Sequence, residues 1–264
     1  MTEARILLAE NLIPLASLPN LCEERRRFDA AFPAKATSSQ AAPSAFSNLQ
    51  QNAKQKIVWS RPPAADATVP VTLLHPLFRK FVDDCENHHP ISSDNDLVRE
   101  LMAEMSIFFP DENKRAAKLR EIMTKHGISL DTYTVTSKGH HFLTDGAVVI
   151  NGDPIAILEV KGEIGSAGAE PYAQVVLYYT HSTLRKAGFS KFNFPALLIT
   201  HFGQTPLSFH AIILTECSQD RKLAFLALYG QLDPISKFLL RPYLCFVITP
   251  TRICVNLLLV ILVP

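Results

Sequence analysis

Lys138–Tyr179 reads KGHHFLTDGAVVINGDPIAILEVKGEIGSAGAEPYAQVVLYY, and the fold turns on how its two apolar runs pair. Ala147–Ile150 and Ile155–Val160 are rich in β-branched residues and flank Asn151-Gly152-Asp153, a strong turn signal between strands. Asp145 stands just ahead of the first run, and the second closes on Glu159-Val160-Lys161. Charged residues are depleted in strands and rarely buried unpaired, so three of them inside an apolar hairpin require a reason. A three-residue loop at Asn151–Asp153 would pair Ile150 with Pro154 and set Asp145 opposite Glu159. Directly paired residues share a face, so the two carboxylates converge and Lys161, two residues on, joins them. A loop one residue longer would turn Asp145 to the other face unless a bulge corrected it. Ala147, Ile155 and Ile157 leave one face apolar, and Val148, Leu158 and Val160 the other, which predicts an interior sheet covered by helices on both sides.

Carboxylates of this kind, together with substrate phosphate, are how proteins hold Mg²⁺. Such an ion polarises a phosphoryl oxygen and lowers the pKa of a bound water, while a neighbouring lysine orients that water or stabilises charge on phosphorus. The three residues alone leave a plain ion pair on a sheet edge open as the alternative. Pro171 suits the first turn of a following helix and Gly188 its end. Between them Gln174 and Tyr178 lie four apart on one face, able to hydrogen-bond a phosphodiester and stack on a base or sugar, or else to form a solvated stripe.

Asp145, thirteen residues, Glu159-x-Lys161, twelve residues, then Gln174-x-x-x-Tyr178 resembles the PD-(D/E)XK nuclease superfamily, the Gln-x-x-x-Tyr element being similar to that of its RecB-like exonuclease branch. More closely, DGAVV…ILEVKGEIGSAGAEPYAQVVLYY resembles the nuclease-like domain of fungal proteins, often upstream of a kinase domain and related to Crinkler-type effectors. Thr144 replaces the usual proline before the acid and Gly162 a common asparagine, and neither change removes a ligand. The resemblance implies a restriction-endonuclease-like α/β domain with an αβββαβ core and a mixed sheet flanked by helices. It implies divalent-metal-dependent hydrolysis of nucleic acid, with DNA favoured and RNA the open alternative, and Mg²⁺ or Mn²⁺ as cofactor. Asp145, Glu159 and the Val160 carbonyl would hold the ion and Lys161 would position the attacking water. Gln174 and Tyr178 would hold the substrate strand. A helix acid often completes such a site; Glu100 and Glu104 are the candidates, Glu100 the favoured one, and a solvated surface is the alternative for both. The alternative is a catalytically inactive nuclease-like binding or effector module.

The remaining chain fits around this centre. It has 264 residues, 47% of them hydrophobic, with a net charge of +1, enough for one moderate domain but with no global basic field, so nucleic acid would need a local patch. Five scattered cysteines show no metal spacing, and their odd number points to a reducing, intracellular setting, cytoplasm or nucleus. Residues 1–70 read as leader and linker: an apolar start without a cleavable signal pattern, the Glu23–Arg27 charge run, and an Ala/Ser/Gln-rich stretch over 34–51. Trp59 is expected to dock the linker. The domain is expected over 71–216, beginning with helices near Pro76, from Ser93 or Asp94 to Phe108, and from Asp111 to Gly127, with Ile128–Val135 as the strand feeding the hairpin. Lys114, Arg115, Lys118, Arg120 and Lys125 make the third helix the most basic element and a candidate phosphate-steering face; Lys138, His140 and His141 are candidate substrate contacts. Phe194–Thr200 and Leu207–Thr215 read as strands. Residues 217–264 read as an apolar extension with the kinase domain absent; Leu257–Val263 is too short and its approach too interrupted for a clean membrane span.

Overall fold

The computed structural model describes residues 21–52, 54–57, 76–87, 89–162, 168–187, 194–203, 208–212, 214–217, 222–225 and 228–231. Trp59 and the apolar run 257–263 lie outside the described residues. The chain is mixed α/β. Three N-terminal helices, α1 (Leu21–Ala31), α2 (Thr37–Gln40) and α3 (Pro43–Gln51), precede α4 (Pro76–Asn87), α5 (Ser92–Met105) and α6 (Glu112–Lys125). A small hairpin follows, β1 (Thr134–Ser137) with β2 (His140–Leu143), then β3 (Gly146–Ile150), β4 (Asp153–Lys161), α7 (Pro171–Ala187) and β5 (Ala196–Phe202). β6 (Ser208–Ile212), β7 (Leu214–Cys217), β8 (Lys222–Phe225) and β9 (Leu228–Gln231) complete the described elements. The main sheet runs β3-β4-β5-β6-β9; β4 and β5 are parallel, joined through α7, and the other neighbours are antiparallel.

The hairpin reaches its expected pairing by an unexpected route. Asn151 (φ 52°) and Gly152 (φ 82°) are both left-handed, the signature of a two-residue type I′ turn, and Ile150 pairs with Asp153 rather than Pro154. Left alone, that shorter loop would slip the register by one. A bulge after Val148 absorbs the difference: Val148 pairs with Ala156, Ala147 with Ile157 and Gly146 with Leu158. Asp145, one step further, is therefore delivered opposite Glu159.

Both faces of β4 are covered. Ile157 packs with α7, the N-terminal helices and the β1–β2 hairpin; Leu158 and Val160 pack with α5 and α6 through Leu97, Leu119, Ile122 and Met123. Helix starts follow local chemistry. Asp111 accepts from the Lys114 N–H (2.8 Å) to cap α6, and Asp94 reaches back to the Ile91 N–H (2.9 Å) at the start of α5. Gly127 (φ 85°) takes the left-handed position past the end of α6.

Three expectations need correcting. Ile128–Val135 is not a strand of the main sheet: only Asp131 bridges to Ala147, and β1, starting at Thr134, pairs with β2 in a sheet of its own. Residues 21–52 and 54–57 are not linker, because Phe28, Phe32, Ala41, Leu49 and Ile57 are buried in the same core as α7. Nor does the fold stop at 216, since β9 adds to the main sheet beside β6. Among the described residues no helix is long and apolar enough to cross a membrane.

Candidate metal centre

The carboxyl ends of parallel strands β4 and β5 meet the first turn of α6, and there the charged residues gather. Oxygens of Glu112, Asp145 and Glu159 lie within 4.8 Å of one another. Glu159 is buried by the strands on either side, with 1% of its surface exposed. Asp145 is fixed by its neighbours: Oδ2 accepts the Val160 N–H at 2.7 Å, and Arg120 of α6 donates to its backbone carbonyl. Gly146 lets Leu130 and Leu158 close in behind it, since a Cβ there would stand 3.3 Å from both side chains. Lys161 Nζ lies 2.6 Å from Glu159 Oε1 and 2.8 Å from Glu112 Oε1, bridging the two acids as an internal counter-ion.

Glu112 enters this cluster from the first turn of α6, and its backbone is held there by Arg115. That buried guanidinium donates to the carbonyls of Gly203, at the end of β5, and Met105 (3.4 Å), and lies 4.8 Å over the Phe109 ring. Glu100, the helix acid expected at the site, is elsewhere: its carboxylate accepts from Lys125 (2.8 and 2.9 Å) and lies 2.8 Å from His126 Nε2. A place on the polar face of a helix does not show which acid the packing turns toward the sheet. Glu112 was missed because it reads as a plain first-turn acid after the Asp111 cap, and only the docking of α6 against β5 turns it inward.

The electrostatics follow from burial. Desolvation, with the Asp145 charge adding to it, pushes the Glu159 carboxyl up to about 8. Asp145 is also raised by burial, partly offset by the Val160 N–H and the Lys161 ammonium. Burial works against charge on Lys161, but the Glu159 and Glu112 carboxylates together outweigh it and the pKa stands above the ordinary lysine value. Three acids facing one ammonium leave an excess of carboxylate that a cation would neutralise. The donor set fits a hard ion: ligands of an octahedral Mg²⁺ stand about 3 to 4.2 Å apart, within small side-chain adjustments of this spread.

Gln174 and Tyr178 lie on the same side of the sheet but face inward. Gln174 Nε2 donates to Tyr178 Oη (3.0 Å), and that hydroxyl donates to the Leu143 carbonyl (2.9 Å). Burial, then the Glu159 charge, push the Tyr178 phenol up to about 12, so it remains a proton donor. The basic face of α6 is spent on protein partners. Lys118 pairs with Glu104 (3.2 Å) and Glu121 (3.3 Å), Lys125 with Glu100, and Lys114 with Asp111 (3.6 Å), while Arg115 and Arg120 hold carbonyls. Lys138 donates to the Phe32 carbonyl (2.7 Å), His141 Nδ1 lies 3.0 Å from Thr136 Oγ1, and His140 stacks on Phe142. Val160, expected to offer its carbonyl, contributes its N–H to Asp145. Compared with known proteins, the chain matches no family model, and no curated protein matches it.

Proposed function

We propose that the chain is a divalent-metal-dependent phosphodiesterase acting on nucleic acid, built on a restriction-endonuclease-like core. One observation carries this reading: three acids from two strand ends and a helix start converge within 4.8 Å, with a lysine 2.6 Å from one of them. Glu112, Asp145 and Glu159 would hold Mg²⁺ or Mn²⁺, which when bound supplies a polarised phosphoryl oxygen and a water of lowered pKa. Lys161 stands where it can hold that water or donate to a phosphate oxygen once released from its acids. Arg115 and Arg120 keep the acids in place, and the Val160 N–H orients Asp145. Plasmid DNA incubated with the purified chain and Mg²⁺ is expected to be nicked, and Asp145→Ala or Lys161→Ala to abolish the nicking; activity surviving either change would remove the mechanism.

A second reading has its own support. Gln174 and Tyr178, the expected substrate contacts, are buried and bonded to one another and to Leu143, as in a structural brace. That favours a nuclease-like binding module without turnover. Calorimetric titration with Mn²⁺ separates the two, because such a module would show no ion binding that depends on Asp145 and Glu159.

A further inference from the structure

The α7 side of the sheet carries two buried oxygens that the site as described leaves unused. Thr200 has no exposed surface, and its Oγ1 meets no hydrogen-bond partner among the described residues; the same is true of Oε1 of Gln174, which is 5% exposed. An unsatisfied buried polar atom costs about 1–3 kcal/mol, so native proteins keep few, and a water or ion commonly explains them.

Thr200 lies beside one of the acids, and Gln174 is tied to a tyrosine that feels their charge. Thr200 is the direct partner of Glu159 in the parallel ladder between β4 and β5, and paired residues share a face. Leu198 and Ile157, two residues back on each strand, belong to the core under α7, so Thr200 and Glu159 point to that side as well. Gln174 comes down from α7 onto this face. Its amide nitrogen is tied to Tyr178, whose phenol feels the Glu159 charge, which leaves the amide oxygen free.

We propose that Thr200 is a positioning residue of the cation site: its hydroxyl, with the Gln174 amide oxygen, holds a water in the shell of a divalent cation carried by Glu112, Asp145 and Glu159. The inference rests on the metal-dependent reading above. Its chemistry is one of matching valences. A water bound to a cation has committed a lone pair to it and keeps two O–H groups to donate. Gln174 Oε1 can only accept, and Thr200 Oγ1 can accept, so the pair offers such a water its two missing partners. Outer partners of this kind typically change metal affinity by roughly 10–100-fold when removed.

The test is Mn²⁺ titration calorimetry on the full chain and on Thr200→Val, Thr200→Ser and Asp145→Asn. Valine keeps the shape and suits a strand while deleting the hydroxyl. Without metal, Thr200→Val is expected to melt at or above the wild-type temperature, because an orphaned polar atom is removed. With metal, its affinity for Mn²⁺ should fall roughly tenfold or more, and Thr200→Ser should restore it. Unchanged Mn²⁺ affinity in Thr200→Val would overturn the inference and leave the metal reading standing. So would a melting temperature lowered without metal, the mark of a hydroxyl satisfied by a structural water independent of the ion. Wild-type chain with no Mn²⁺ binding lost in Asp145→Asn would take down both readings together.

Discussion

Lys161 holds its place through two acids, Glu159 at 2.6 Å and Glu112 at 2.8 Å, and that pairing separates its chemical role from a structural one. In the proposed mechanism the ammonium competes with the ion for the same oxygens. Lys161→Met is therefore expected to keep or tighten Mn²⁺ binding while cutting DNA cleavage about 100-fold or more. Parallel loss of binding and cleavage would instead show that Lys161 serves to hold the two acids in place. Glu159 and His181 give the pH dependence. Glu159 is raised from 4.5 to about 8, so between those values the folded chain keeps a proton that the unfolded chain has released, and stability falls as pH rises. His181 on α7 is lowered from 6.5 to about 4, chiefly by burial, so over that window stability falls as pH falls. The two slopes oppose each other from 4.5 to 6.5, and above 6.5 the Glu159 slope, at most about 1.4 kcal/mol per pH unit, runs without its His181 opponent. Melting temperatures measured with chelator should be nearly level to pH 6.5 and then decline toward pH 8. Glu159→Gln should abolish that decline, and a decline unchanged in this variant would refute the assignment of burial cost to Glu159.

Elements decide where these side chains go, and α6 is the clearest case. Its first turn supplies Glu112, its buried face packs through Leu119, Ile122 and Met123, and Arg115 ties it to the end of β5. Arg115→Met is expected to cost about 2–4 kcal/mol in urea unfolding, since the carbonyls of Gly203 and Met105 lose a buried donor. It should also weaken Mn²⁺ binding by releasing Glu112, and Arg115→Lys should not rescue it, because an ammonium cannot span both carbonyls and the Phe109 face. Stability and Mn²⁺ affinity both left at wild-type values would show that α6 is placed by its apolar face alone. The neighbouring hairpin shows how much of this was legible beforehand. Asn151-Gly152 announces a turn through its tolerance of positive φ, and the alternation of apolar residues announces two covered faces. The bulge after Val148 has no such signature, because any residue can be the extra one and only the competing demands of turn and core select it. Glu112 was hidden for a related reason. A helix acid reveals its direction only when the helix is docked.

At the scale of the whole molecule, the N-terminal segment changes what counts as the fold. An Ala/Ser/Gln-rich sequence offers few large side chains, which is why 34–51 reads as linker; the anchors are spread thinly, Leu49 within it and Phe28, Phe32 and Ile57 on either side. They nevertheless close the outer side of α7, the helix that carries Gln174 and Tyr178. Phe32 stands 5.5 Å from Phe28 and edge-on to His181 at 5.3 Å, between ring centroids. His181 Nδ1 lies 3.2 Å from Ser137 Oγ, and its Nε2 lies 3.2 Å from Gln40 Nε2, joining β1, α7 and α2. The Glu170 N–H donates to the Ala41 carbonyl (2.9 Å), fastening the start of α7 to the same segment. If residues 21–57 are one cooperative unit with the sheet, Phe32→Ala should cost about 3–5 kcal/mol, the ordinary price of emptying a buried aromatic site. Thermal melts followed by far-ultraviolet and near-ultraviolet circular dichroism should then shift together, as a single lowered transition. A leader merely resting on the domain behaves differently: the near-ultraviolet signal would change first, and the main transition would stay within about 0.5 kcal/mol of wild type, as surface substitutions do. Mn²⁺ titration of the same variant below its transition links this to the site, because α7 stays seated only while its outer side is covered. A metal affinity unchanged while stability drops would place the N-terminal helices in the core without giving them any hold on the acids.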